Sequence, residues 1–185
     1  MQHPNTLELS RSALLIIDMQ EAFRYTIKDF DKYARRIATV ARGAQLLNVP
    51  VVVTEQYPKG LGHTAAEIVE TLPEGLEIIE KTAFSSCGAQ AFHAKLQSLQ
   101  SQHILVAGIE AHICVNQTVH DLLAMNLCAH LLTDCITSRN KKDKETAFAK
   151  MQQSGAIPST VEMALFELMR DAKHEQFKAI QGLIK

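Results

Sequence analysis

The chain has 185 residues, of which 46% are hydrophobic and 21% are charged, and its formal net charge is −1. This length is enough to bury a core without disulfides or metal, so we expect one domain over residues 1–185. The balanced charge argues against nucleic acid as the main partner, and no apolar run approaches the length of a membrane span.

The cysteines and the N-terminus indicate a reducing compartment. The four cysteines, at positions 87, 114, 128 and 135, form no C-x-x-C pair and lack metal-ligand spacing. Residues 1–8 contain neither the basic nor the apolar segment of a secretory signal. We therefore expect a cytoplasmic protein with free thiols and no membrane association.

Short apolar runs rich in β-branched residues alternate with longer segments of helical periodicity. The runs predict strands at 13–17, 51–54, 77–80, 104–107 and 129–133, with a weaker one at 156–157. The other segments predict helices at about 29–48, 63–71, 88–100, 115–126, 142–153, 159–170 and 174–184. For the helix at 159–170, Ser159 is the predicted N-cap. Near-continuous apolar strands are typical of parallel sheets buried on both faces. We predict an α/β three-layer αβα sandwich around a mostly parallel, six-stranded, Rossmann-like sheet.

The first predicted strand is followed directly by Asp18. A carboxylate at the end of a hydrophobic strand is costly to desolvate without a partner. It could be a catalytic base, a metal ligand or a loop-capping group, or it could accept hydrogen bonds from backbone amides of the next turn. The strand alone leaves these interpretations open.

The segment Gly60–Ala65, after the second predicted strand, matches the pattern G-x-G-x-x-A. The dinucleotide-binding form of this pattern lies directly after the first strand, whereas residues 56–59 intervene here. We interpret the segment as a flexible loop that lines a substrate pocket. We expect no dinucleotide site and no cofactor.

Lys81 follows the third predicted strand as Asp18 follows the first. In a parallel sheet the carboxyl ends of the strands meet at one edge, where ligands bind in open α/β folds. A single lysine after a strand is usually just solvated. Convergence of Lys81 with a carboxylate and a thiol would instead supply the parts of nucleophilic acyl chemistry.

Cys114 follows the fourth predicted strand, across a turn that starts at Gly108, and begins the helix predicted from residue 115. A helix N-terminus stabilises a thiolate, so this position predicts a lowered pKa and a nucleophile. A structural role competes, because unpaired cysteines are often buried as small hydrophobes. His112, two residues earlier, ranks below Asp18 as the group that activates the thiol.

The eight histidines do not predict a metal site. His63, His112 and His120 are nearest the predicted sheet edge, but they form no H-E-x-x-H motif and no compact cluster. The sequence also lacks the G-x-S-x-G pattern of serine α/β-hydrolases. We therefore expect no bound metal and no serine nucleophile.

Together these segments resemble the isochorismatase-like cysteine hydrolase superfamily. The matching stretches are Leu14–Gln20, Val51–Gly62, Glu80–Ser85, Gly108–Val115 and Pro158–Leu168. They are weak singly and specific in combination, and the resemblance extends over essentially the whole chain. The most similar subgroup is that of the small single-domain isochorismatase-domain proteins.

The resemblance implies an Asp–Lys–Cys catalytic triad, which falls on Asp18, Lys81 and Cys114. It also implies a non-proline cis peptide bond at Ile109–Glu110, just before the nucleophile. By the same resemblance, the backbone N–H groups of Glu110 and Cys114 form the oxyanion hole.

The resemblance also places residues around the substrate pocket. Phe23 and Phe84 match positions that wall it, and we expect His112 beside them. The nicotinamidase branch carries Asp and His metal ligands after the second strand, where this chain has Gln56 and Pro58. True isochorismatases lack the cysteine nucleophile. These differences argue against a metal-dependent mechanism and against nicotinamide or isochorismate as the substrate.

The function that the resemblance implies is a metal-independent cysteine hydrolase. It would cleave a C–N bond of a small amide or carbamoyl compound through an acyl-enzyme. The alternative is a non-catalytic binding or scaffold protein, or a redox sensor, that retains the triad. Relatives form dimers and larger assemblies, so we also expect a homo-oligomer.

Overall fold

The computed structural model describes residues 3–185 and contains a six-stranded sheet in which each pair of neighbouring strands is parallel. The strand order is β3-β2-β1-β4-β5-β6. The strands are β1 (Ser12–Ile17), β2 (Val51–Gln56), β3 (Ile79–Lys81), β4 (His103–Gly108), β5 (Cys128–Ile136) and β6 (Ile157–Ser159). The predicted α/β sandwich and its six-stranded sheet are confirmed, and β3 begins two residues later than predicted.

Helices lie on both sides of the sheet. They are α1 (Phe30–Leu46), α2 (Pro58–Leu61), α3 (Ala66–Val69), α4 (Gln90–Leu99), α5 (Asn116–Ala124), α6 (Lys141–Gln153), α7 (Val161–Met169) and α8 (Phe177–Ile184). The predicted helix at 63–71 is reduced to α3. Pro58 starts α2, which overlaps only the first two residues of the segment Gly60–Ala65. The N-cap of α7 is Thr160 rather than the predicted Ser159, which belongs to β6. None of the helices within residues 3–185 is long and apolar enough to cross a membrane.

Alternating residues of β1 divide the core between the two faces of the sheet. Leu14 and Ile16 pack in the cluster that holds α1, α7 and α8, whereas Leu15 and Ile17 pack in the cluster that holds α4, α5 and α6. This burial on both faces explains why the strands are almost continuously apolar. It also fixes the ends of β1 and β4 firmly.

The strand order places a crevice where β1 and β4 lie side by side. Chain connections leave this point in opposite directions, and ligands of open α/β sheets bind at the carboxyl ends of strands there. Gly108 ends β4 with a φ of 117°, and a Cβ atom on it would lie 2.0 Å from the carbonyl oxygen of Ile17. Only glycine permits so close an approach of the two strand ends.

Candidate active site

Asp18 is held at the end of β1 in a left-handed backbone conformation, with a φ of 52°. Its side chain is buried, and Oδ1 accepts a hydrogen bond from Thr54 Oγ1 at 2.8 Å while Oδ2 accepts one from Lys81 Nζ at 2.6 Å. The partners are side chains of β2 and β3, so the carboxylate does not act as a cap for the next turn. Burial raises the pKa of Asp18, and the nearby Lys81 charge offsets part of that effect.

Lys81 ends β3, and its side chain is completely buried. Its ammonium donates to Asp18, to Gln56 Oε1 at 2.7 Å, and to the backbone carbonyls of Ala83 at 3.2 Å and Phe84 at 3.0 Å. The alternative of a solvated lysine is therefore wrong for this residue. A buried ammonium with this many acceptors is a fixed positive charge at the end of the sheet.

Cys114 lies in a π-helical turn, Ala111–Val115, which precedes α5. Its side chain is buried, and its thiol interacts with the Asp18 carboxylate by a hydrogen bond. The structure thus brings together the three residues that follow or end β1, β3 and β4. They form one buried cluster of a carboxylate, an ammonium and a thiol.

The predicted lowering of the Cys114 pKa is wrong. Burial raises the pKa of the thiol to about 12, and the negative charge of Asp18 adds to this effect, although Lys81 opposes it. The prediction rested on the helix N-terminus alone, whereas the thiol lies in a π-helical turn and α5 begins only at Asn116. The resting thiol is therefore protonated, with its hydrogen-bond acceptor already in place.

The turn before Cys114 has an unusual backbone. The Ile109–Glu110 peptide bond is cis. The Glu110 carbonyl accepts hydrogen bonds from Ile113 N at 3.0 Å and Val115 N at 3.2 Å. The Glu110 carboxylate accepts from both the backbone N–H and Nε of Arg139, each at 3.0 Å. These contacts hold the turn against the segment that follows β5.

The three predicted pocket residues have different surroundings. Phe23 is partly buried against the core on the α1 side, whereas the Phe84 ring is 55% exposed. His112 Nδ1 lies 3.1 Å from Ser138 Oγ, and its Nε2 lies 4.0 Å from Asp143. The contacts of His112 are thus with residues after β5 and not with the thiol, whereas Asp18 is the carboxylate beside the thiol.

Two further members of the cluster were missed by the sequence analysis. Thr54 and Gln56 come from β2, the strand between those that supply Asp18 and Lys81. Thr54 donates a hydrogen bond to Asp18, and Gln56 accepts one from Lys81. Gln56 was noted only as a replacement for a metal ligand. The available signal was positional, because Gln56 lies just beyond the predicted strand 51–54, as Asp18 and Lys81 lie just beyond theirs.

The remaining candidates lie outside the cluster. His63 contacts Glu55 at 3.1 Å, and His120 contacts Ser154 Oγ at 3.0 Å. Cys87 is buried, which raises its pKa to about 11. Over the described range 3–185, no group of three or more His, Cys, Asp or Glu side chains could hold a metal ion.

Hydrogen bonds hold the segment Gly60–Ala65, which was predicted to be a flexible loop. The amide nitrogen of Gln20 donates to the carbonyls of Gln56 and Gly62, at 3.0 and 2.7 Å. The Glu55 carboxylate accepts from both the backbone N–H and the hydroxyl of Thr64. A cavity of about 480 Å³ opens between residues 57–59, the Lys81 segment and the start of α4. It therefore borders the lysine of the cluster and not its thiol.

Comparison with known proteins places the chain and its fold in a wider group. The family model described as "Isochorismatase domain" matches residues 12–163. Isochorismatase domain-containing protein 2 of Homo sapiens is 43% identical over 175 residues, which cover 94% of this chain and 83% of the human protein.

Two solved structures illustrate the structural likeness. The MAR1 ribonuclease of Caenorhabditis elegans is 39% identical with a TM-score of 0.92, and the match covers 97% of this chain and 92% of that one. The YcaC gene product of Escherichia coli, described as an octameric hydrolase of unknown specificity, has a TM-score of 0.91. It is 19% identical, with 100% of this chain and 91% of that chain covered, and so shows the fold alone.

Proposed function

The chain belongs to the isochorismatase family, and this membership supports a hydrolase-type fold. We propose that the protein is a metal-independent cysteine hydrolase. The substrate class is a small amide or carbamoyl compound, and the bond cleaved is C–N. One observation carries this proposal: the Asp18 carboxylate contacts both the Lys81 ammonium and the Cys114 thiol in a buried cluster. Such a cluster holds a nucleophile, its base and the charge that orients the base.

The first half of the reaction forms a thioester. Asp18 accepts the thiol proton as Sγ of Cys114 attacks the substrate carbonyl carbon, and the carbonyl π electrons move to oxygen. The backbone N–H groups of Glu110 and Cys114 donate to that oxygen. Collapse of the tetrahedral intermediate breaks the C–N bond, and the amine leaves with the proton from Asp18.

The second half releases the acid and restores the enzyme. Asp18 accepts a proton from water as the water oxygen attacks the thioester carbonyl. Collapse then breaks the C–S bond, and the proton on Asp18 returns to the Cys114 sulfur. Lys81 stabilises the carboxylate form of Asp18 whenever it is ionised. The raised pKa of Asp18 makes it a stronger base than an exposed aspartate, which suits transfer from a thiol of high pKa.

The test is a screen of small amides and carbamoyl compounds for amine or ammonia release, combined with intact-protein mass spectrometry. We expect turnover by the native chain, an acyl adduct on Cys114, and loss of both in Cys114→Ala. Cys128→Ala is the matched control, because Cys128 begins β5 at the opposite edge of the sheet. Turnover that survives in Cys114→Ala would overturn the proposal.

RNA is a second candidate substrate, since the C. elegans protein that is 39% identical is named a ribonuclease. The net charge of −1 argues against it, because RNA binding depends mainly on basic surface. The same variants are therefore assayed on single-stranded and structured RNA. RNA cleavage that requires Cys114, without amide turnover, would replace the amide proposal.

A redox sensor is the other alternative, and the Cys114 environment argues against it. Sensor thiols are exposed and have a low pKa, whereas Cys114 is buried and its pKa is raised. The rate of Cys114 alkylation by iodoacetamide, followed against pH, separates the two functions. An alkylation rate that follows a pKa below 9.0, the ordinary value for a thiol, would favour the redox sensor.

We also propose that the protein is a cytoplasmic homo-oligomer. Its four cysteines are free, as in a reducing compartment, and Phe166 on α7 is 38% exposed beside Phe177 of α8. Light scattering after size-exclusion chromatography tests the assembly, and cell fractionation tests the location. A monomer across the accessible concentration range would contradict the first part.

A further inference from the structure

Another cavity, of about 410 Å³, opens between the start of α1 and the start of α6. Part of its wall is the segment 137–139, which follows β5 at the same edge of the sheet as the cluster. The charged side chains that line it are Lys28, Asp29, Arg139, Lys141, Lys144 and Glu145. Four of them are basic and two are acidic, in a chain whose net charge is −1.

Lys144 is the most firmly held of these cations. Its Nζ donates to the Tyr33 hydroxyl at 2.9 Å, and lies 4.8 Å from the centroid of the Tyr33 ring and 5.6 Å from that of Phe148. The two rings restrict the lysine chain, so binding an anion there costs little additional side-chain entropy. An ammonium has three hydrogens, and the hydroxyl uses one of them.

The pKa of the Tyr33 hydroxyl indicates a positive electrostatic potential in this cavity. Burial raises its pKa, yet hydrogen bonds with Lys144 and Thr137 and the nearby positive charge of Lys32 bring the pKa below the ordinary value. The acidic residues do not reverse this effect: Glu145 lies 3.6 Å from Lys141 in an ion pair within α6, and Asp29 is exposed. Negative charge is therefore stabilised at this place.

The cavity wall is attached to the turn that carries Cys114. Ser138 Oγ lies 3.1 Å from His112 Nδ1, and the backbone N–H and Nε of Arg139 both donate to the Glu110 carboxylate. The Arg139 side chain is 55% exposed while its Nε donates to Glu110, so part of the side chain remains open to solvent. Anything bound here contacts residues that also anchor the candidate oxyanion turn.

We propose that this cavity binds an oxyanion, a carboxylate or a phosphate, between Lys144 and Arg139. The anion has two sources: the acid group of a substrate whose amide reaches Cys114, or a free inorganic anion. Binding of phosphate itself does not depend on whether Cys114 is a nucleophile. Only the possibility that the anion is the acid group of a substrate rests on the proposed function.

The first experiment is a calorimetric titration of inorganic phosphate into the full-length protein at low ionic strength. We expect Lys144→Met to weaken phosphate binding by roughly tenfold or more, as loss of a charge-assisted hydrogen bond does. Lys28→Met, an exposed cavity residue whose change leaves the core intact, is expected to weaken it less. Lys142→Met is the matched control, because Lys142 is exposed on the same helix outside the cavity lining.

The second experiment identifies the source of the anion by comparing hydrolysis of succinamate with that of propionamide. A substrate acid in the cavity predicts preference for succinamate, competitive inhibition by phosphate, and loss of the preference in Lys144→Met. A free anion predicts phosphate binding without that preference. If neither amide is hydrolysed, a substrate acid in the cavity is ruled out for these compounds, and the titration alone decides the site. Absence of phosphate binding, or equal affinity in Lys144→Met, would overturn the oxyanion site.

Discussion

Replacing Lys81 by methionine should destabilise the fold strongly and in a pH-dependent way. The substitution keeps most of the aliphatic chain and removes an ammonium that is 2.6 Å from Asp18, with both side chains essentially buried. Removal of one partner from a buried pair costs about 3–5 kcal/mol. The carbonyls of Ala83 and Phe84 and the amide oxygen of Gln56 also lose their donor, which favours the upper part of this range.

The pH dependence follows from the Asp18 carboxyl. Without Lys81, burial raises its folded-state pKa still further above the unfolded value. A group whose pKa is raised by folding contributes stability that is complete below the unfolded pKa and is lost as the pH rises through the folded pKa. Lys81→Met is therefore expected to lose most stability near pH 8 and less near pH 5, at about 1.4 kcal/mol per pH unit where the carboxyl is protonated only in the folded state.

Urea unfolding, followed by far-UV circular dichroism at both pH values, measures these losses. Asp18→Asn combined with Lys81→Met removes both charges, and we expect a favourable coupling of about 2 kcal/mol relative to the sum of the single variants. Lys95→Met, at an exposed position on α4, controls for loss of a lysine alone. A loss below about 1 kcal/mol, or the same loss at both pH values, would refute the buried-pair argument.

Three further predictions follow from other parts of the structure. The acid limb of kcat/KM against pH should have an apparent pKa above 3.8, because burial raises the pKa of Asp18 above that ordinary value. An acid limb with an apparent pKa of 3.8 or less would contradict the role of Asp18 as the base. His130 is buried, which lowers its pKa from 6.5 to about 4. The stability that neutral His130 contributes is complete above pH 6.5 and is lost as the pH falls from 6.5 towards about 4. The contribution of His130 to this loss is about 2 kcal/mol between pH 7.5 and pH 5, so His130→Gln should lose clearly less than native protein by urea unfolding; equal losses would rule out His130 as a cause. Gly108→Ala should lose at least about 3 kcal/mol or fail to fold, whereas Gly182→Ala, with open space around its Cβ position, should be neutral or stabilising in thermal unfolding. Tolerance of alanine at Gly108 would show that β1 and β4 can separate.

Much of the fold could be predicted because the signals are local. The apolar runs predicted all six strands, and the alternation of runs with helical segments predicted a parallel sheet covered on both faces. Boundaries were less accurate where neighbouring elements decide them. The cap of α7 moved from Ser159 to Thr160, because pairing with β5 extends β6 through Ser159.

The candidate site was partly predictable for a similar reason. In a parallel sheet, residues at the ends of neighbouring strands come together, so Asp18, Lys81 and Cys114 could be placed at one edge from the sequence alone. Gln56 was missed because an uncharged side chain at a strand end carries no chemical signal of its own. Its contact with Lys81 Nζ becomes visible only once β2 and β3 are paired.

The sequence by itself determined which segments become strands and helices and in what order, since periodicity and turn residues act over a few neighbours. The tertiary structure decided how those residues ionise, because that depends on burial and on partners far apart in the chain. Asp18 and Lys81 are 63 residues apart and form a buried pair. The same burial raises the pKa of Cys114, although its place before a helix predicted the opposite.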